Sequence, residues 1–120
     1  MDLVTPLSLG RIAIGALSLT RPTVAAGLLG ADPADNPQLP FVTRLFGVRE
    51  IALGAVTLLA SGTARRDLVA AGVLVDLGDA IASVVSYRTG EVSPLGAAPL
   101  LAVALGAAAA GAIEVNASPR

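Results

Sequence analysis

The 120-residue chain has no cysteine and no histidine. Those two absences together remove disulfides, thiol nucleophiles, imidazole bases and most transition-metal sites. Lysine is missing as well: all eight basic residues are arginines, set against nine acidic ones, and no basic run exceeds Arg65-Arg66. Nucleic-acid binding needs a basic stripe to neutralise phosphates, so no nucleic-acid partner is expected. Charged residues make up only 14% of the chain, where a soluble domain carries about a quarter. In their place stand 54% hydrophobic residues and a mean hydropathy of +0.77, too apolar for a disordered chain. The length suits one domain, residues 1–120, and the composition points to a chain dissolved in lipid.

A window of about 20 residues, the length that crosses a bilayer, divides the chain into four apolar stretches at 3–20, 41–61, 68–87 and 95–113. Turn chemistry separates them: Arg21-Pro22, the acidic and Pro-rich segment 31–37, Ser61-Gly62, and Thr89-Gly90 ahead of Pro94. Pro40 and Pro94 stand where a helix accepts proline, in its first turn. Short connections at 61–67 and 87–94 predict antiparallel neighbours, and residues 23–29 have the makings of a short interfacial helix. The opening reads as a retained span and not a secretion signal, because Asp2 precedes it and Arg11 interrupts it. The expected fold class is therefore all-α: a four-transmembrane-helix antiparallel bundle with a short interfacial helix between helices 1 and 2. Arg65, Arg66 and Arg120 against Arg21 and Arg88 favour a multi-pass protein of the cell membrane with both termini cytoplasmic. The competing reading, a soluble Ala-rich bundle, requires a charged face on every helix, and 95–113 has none.

Helical spacing places Ser8, Arg11, Gly15 and Ser18 on one face of the first stretch. The second gathers Thr43, Gly47, Glu50, Gly54, Thr57 and Ser61, and the third Gly72, Asp76, Asp79, Ser83 and Ser86. Each stretch thus has a narrow small-and-polar seam with an ionisable residue near its middle, the inverse of a soluble helix. The first two also echo one another: GRIAIGALSL at 10–19 aligns without gaps on REIALGAVTL at 49–58, with Arg11 opposite Glu50. At about 1.5 Å per residue, Arg11, Arg49, Glu50, Asp76 and Asp79 all lie roughly 10 to 17 Å from the nearer end of their stretches, in one central slab. Arg44 enters nearer the surface, within reach of headgroups or of this slab. A mid-span Asp costs about 3 kcal/mol and an apolar residue returns only about 0.5, so isolated charges insert poorly. Three cations (Arg11, Arg44, Arg49) and three anions (Glu50, Asp76, Asp79) would balance in a buried network joining helices one, two and three.

The run Arg44-Leu45-Phe46-Gly47-Val48-Arg49-Glu50 followed by Gly54 resembles the R-x-x-G-x-R-[DE]-x-x-x-G pattern of small, mostly uncharacterised actinobacterial four-helix membrane proteins. That group is similar in outline to the DoxX-like membrane proteins. Arg11 with Gly15, the Gly30-x-Asp32-Pro33 loop and the Asp76/Asp79 pair also suit it. The resemblance spans about residues 8 to 85 and implies an integral protein of the cell envelope, with no chemistry to transfer.

Two function classes follow. In the first, Arg11, Arg44 and Arg49 with the three carboxylates form a polar core that fixes packing, and the protein binds a lipophilic small molecule or supports a membrane partner. In the second, Asp76 and Asp79, one turn apart and assisted by Glu50, act as acid and base on a lipophilic substrate, in an isomerase, cyclase or hydrolase that needs no cofactor. A cavity reaching the carboxylates favours a ligand, and a filled core favours a scaffold. A proton pathway has less to recommend it, because one polar layer is not a continuous route. The serines are expected to bond to carbonyls of their own helices, and no Gly-x-Ser-x-Gly elbow, GxGxxG or P-loop is present. Gly106 and Gly111 in the fourth stretch suit close packing, within the chain, in a homodimer or with a partner subunit. The Asp32/Asp35/Asn36 loop reads as turn chemistry before it reads as a cation site, and no metal is expected.

Overall fold

The computed structural model describes residues 2–28, 34, 36–91 and 94–117. Among them are five helices and no strand: α1 Val4–Thr20, α2 Pro22–Leu28, α3 Leu39–Leu59, α4 Gly62–Arg88 and α5 Pro94–Ala117. The all-helical expectation holds, and α2 falls where the short helix was predicted. Three boundaries move. Pro40 in the first turn of α3 lets that helix begin at Leu39. The connection expected at 61–67 shrinks to Ala60 and Ser61, because Gly62, at φ +58°, reverses the chain and the polar residues after it are already helical. Past Ile113, Glu-Val-Asn-Ala carries α5 on another turn, where Glu114 accepts the Leu3 backbone N–H at 2.7 Å. The Gly30-x-Asp32-Pro33 loop, Asp32 and Asp35 of the acidic loop, and Arg120 lie outside the described residues.

Antiparallel topology follows from the contacts at the helix ends. Arg65 at the start of α4 lies 3.8 Å from Asp2, and Glu114 near the end of α5 bonds Leu3, so these segments share one end of the molecule. At the other end, Arg44 of α3 donates to the carbonyl of Leu19 in α1 at 3.2 Å. The four long helices therefore run alternately up and down, with α2 packed on α1 and α3.

The closest packing joins α1 to α3, and glycine permits it. The buried residues of α1 (Val4, Ser8, Arg11, Gly15, Ser18) and of α3 (Thr43, Gly47, Glu50, Gly54, Thr57) both step by four and three, the spacing of a tight helix seam. A Cβ on Gly15 would stand 2.6 Å from the Gly47 carbonyl and 2.7 Å from Ile51 Cγ1. A Cβ on Gly54 would stand 2.6 Å from the Ser8 carbonyl and 2.8 Å from Ile12 Cγ1. Gly54 and Ile12 are the echo partners of Gly15 and Ile51, and Ser8 stands to Gly47 at the same 39-residue offset, two residues before the echo begins. The echo is thus an inverted repeat: α1 and α3 are related by an approximate two-fold axis, and Arg11 and Glu50, equivalent in the alignment, meet each other.

Burial is inside out. Among the described residues, the buried hydrophobic ones apart from Val4 and Val69 are alanines (Ala25, Ala26, Ala80, Ala104, Ala108), and beside them lie Ser8, Arg11, Ser18, Thr43, Glu50, Thr57 and Asp76. Leu59, Leu74, Ile81 and Val103 are each more than 60% exposed. By length and composition, α4 alone among the described residues qualifies as a membrane span. Apolar stretches in α1 and α5 are shorter, and α3 carries three charges.

Candidate functional site

Five charged side chains from three helices form one chain of alternating sign: Asp76, Arg11, Glu50, Arg49, Asp79. From α1, Arg11 donates through Nη1 to Glu50 Oε2 and to Asp76 Oδ1, both at 3.0 Å, and through Nη2 to Asp76 Oδ2. From α3, Arg49 donates through Nη2 to Glu50 Oε1 at 3.0 Å and to Asp79 Oδ2 at 2.7 Å, and through Nη1 to Asp79 Oδ1 at 3.1 Å. Both arginines thus hold an α4 aspartate with two parallel bonds, the strongest geometry for such a pair. Burial grades along the chain: the side chains of Arg11, Asp76 and Glu50 are 10%, 5% and 6% exposed, those of Arg49 and Asp79 37% and 36%.

Two uncharged residues complete the arrangement, and sequence reading assigned neither this part. A Cβ on Gly72, one turn before Asp76, would lie 3.2 Å from Arg11 Nη2, so the glycine makes the seat for the guanidinium. The ring of Phe46, three residues before Arg49, lies under that guanidinium at 5.0 Å, a cation–π contact. Spacing of three and four from the charged residues was the available signal for both.

The predicted network is present with one member displaced. Arg44 is five residues, about 140° of helix rotation, from Arg49, so it leaves the seam and bonds Leu19 instead. Two cations therefore face three anions, and the expected neutrality gives way to a formal excess of one negative charge. The serines divide as well. Ser83 bonds the Asp79 carbonyl at 2.8 Å as predicted, but the Ser18 hydroxyl has no partner among the described residues. Ser18 faces Gly47, whose added Cβ would come within 3.0 Å of it, so smallness is what the position demands.

The ionic chain forms the floor of a cleft of about 720 Å³ between α1 and the α4–α5 pair. Arg11, Glu50, Asp76 and Asp79 reach it, while Leu7, Ile14, Phe46, Val103, Ala104 and Ala107 give it apolar walls. Gly111 packs closely against Val73 of α4, whereas Gly106 borders the cleft at an exposed position where an added Cβ would meet nothing within 4 Å. A site with a few convergent polar groups in an otherwise apolar concavity has the general form of a small-molecule pocket.

The architecture is thus that of an all-helical protein whose interior is built around a buried Arg/Glu/Asp cluster. The chain belongs to the family described as "Domain of unknown function (DUF4267)", whose model matches residues 8–112. No curated protein and no solved structure matches it.

Proposed function

We propose that the protein crosses the cell membrane four times and holds a lipophilic small molecule in the cleft above the ionic chain. The inside-out burial carries this reading. A helix that hides Ser, Thr, Arg and Asp while presenting Leu, Ile and Val suits a lipid solvent and is costly in water. At about 1.5 Å per residue α3, α4 and α5 reach or exceed a 30 Å core, and α1 comes within a turn of it, its ends extended by Leu3 and Arg21. In lipid α2 would lie along the interface, Ala25 and Ala26 inward and Val24 and Leu28 outward. The likeness in outline to DoxX-like membrane proteins belongs to the same proposal. So does an orientation with both termini cytoplasmic beside Arg65 and Arg66. Arg44, drawn to the far end with Arg21 and Arg88, offsets that charge bias, and labelling will decide the side.

The absence of cysteine makes the test direct, since single-cysteine variants need no prior removal of native thiols. In sealed vesicles, Arg66→Cys and Glu91→Cys should react with an impermeant maleimide from opposite sides, and Leu74→Cys and Val103→Cys from neither. Free reaction at Leu74 and Val103 would refute the membrane reading. Native mass spectrometry of gently extracted protein then reads the cleft's occupant. A cofactor-independent enzyme is the alternative, because Asp79 borders the cleft and is the most accessible of the three carboxylates. All three carboxylates are engaged by guanidinium groups that tie α1, α3 and α4 together, a structural duty that favours binding over catalysis.

A further inference from the structure

The ionic chain carries a formal excess of one negative charge, and its carboxylates keep unused acceptor sites on the cleft side. The buried Arg49 Nε is without a partner among the described residues, but it belongs to the one member of the chain that does not line the cleft. The members of the ionic chain sum to −1, and Arg44, the third cation of the central segment, is engaged at the helix end. Each of Glu50, Asp76 and Asp79 accepts two bonds from arginine, although an ionised carboxylate offers about four lone-pair sites. The arginine donors aimed at these carboxylates are committed to them. Of the four charged groups reaching the cleft, three are anions and one is a cation. A molecule entering the cleft therefore meets acceptors, net negative charge and apolar walls.

We propose that the cleft selects a lipophilic primary ammonium: a protonated amine on an apolar body. This rests on the binding role proposed above and names its ligand class. Three N–H donors fill acceptor sites that a hydroxyl would fill only singly, and the positive charge brings the cluster to neutrality in a medium where an uncompensated charge is costly. An anionic head would add a second excess negative charge. Asp79 is the contact point, because it is the most exposed of the three carboxylates and stands at the cleft. The alkyl body lies along Leu7, Ile14, Phe46 and Val103.

The test uses the full chain in phosphatidylcholine nanodiscs, with dodecylamine, dodecanol and dodecanoate as probes, read by native mass spectrometry and by melting midpoint. Dodecylamine should bind at least about ten-fold more tightly than dodecanol, the worth of one hydrogen bond to a charged group, and dodecanoate should bind weakest. Asp79→Asn keeps an acceptor for Arg49 but leaves two cations facing two anions, so the preference for amine over alcohol should close. Glu50→Gln makes the same change from inside the chain and should close it too. Equal binding of amine and alcohol to the unaltered protein, or an undiminished preference in both variants, would overturn the ammonium proposal and leave the cleft reading intact. Failure of every probe to bind, with Gly106→Leu, which narrows the cleft from an open position, indistinguishable from the unaltered chain, would overturn both.

Discussion

Replacing Arg11 by Met tests the central physical claim, that this guanidinium holds two carboxylates in a dry interior. Met matches the length and flexibility of the arginine stem, so the change removes charge with little change of packing. What is lost is three donated bonds to Glu50 and Asp76, whose side chains are 6% and 5% exposed. Glu50 keeps Arg49, but Asp76 is left with no cation in contact among the described residues. Breaking one member of a buried pair costs roughly 3–5 kcal/mol, because the survivor stays both desolvated and uncompensated. For a domain of this length that lowers the melting midpoint by about 10 °C or more. Arg11→Met combined with Asp76→Leu should recover most of the loss, since a buried pair replaced by apolar residues of similar size is often close to neutral. The assay is unfolding in mild-detergent micelles titrated with a denaturing detergent and followed by helical circular dichroism. A single variant within about 1 kcal/mol of the parent, or a double variant as unstable as the two singles added together, would refute the reasoning.

Asp79→Ala should cost less than Arg11→Met, about 1 kcal/mol in the same assay, because Arg49 and Asp79 are each more than a third exposed and Arg49 keeps Glu50. Gly15→Leu should part α1 from α3 and cost at least about 1–3 kcal/mol, as overpacking does, while Gly78→Ala, with nothing within 4 Å of the added carbon, should be neutral or stabilising. Melting midpoints in one detergent compare them, and equal midpoints would deny the glycine seam. At the N-terminus the Thr5 hydroxyl, then backbone N–H groups of Thr5 and Val4, donate to Asp2 and hold its carboxyl below the usual carboxylate range. A depressed carboxyl supports the fold above its unfolded value and loses that support as pH falls through its folded value. Amide exchange in the first turn of α1, after correction for intrinsic rates, should therefore rise on acidification below the usual range, and Asp2→Asn should abolish the dependence.

Much of the site was legible because helical periodicity acts on residues of one helix. Ser8, Arg11, Gly15 and Ser18 share a face whatever α1 packs against, and the same holds for Thr43 to Thr57 on α3. Arg44 shows where that logic stops: its sign and depth suited the network, and only its angle around the helix, measured against a real neighbour, takes it to Leu19. The Gly10–Leu19 and Arg49–Leu58 echo was visible as letters alone. Its meaning, two helices crossing about a shared axis with Arg11 on Glu50, needed the contacts.

From the letters by themselves came the apolar stretches, their polar seams and a shortage of charge that leaves each ion in need of a partner, since these follow from composition and a 3.6-residue period. Which arginine meets which aspartate, the one negative charge left over, and the cleft between α1 and the α4–α5 pair were decided by the tertiary structure. The reason is that pairing and empty volume are properties of several helices at once, set by how closely glycines such as Gly15, Gly47 and Gly54 let them approach.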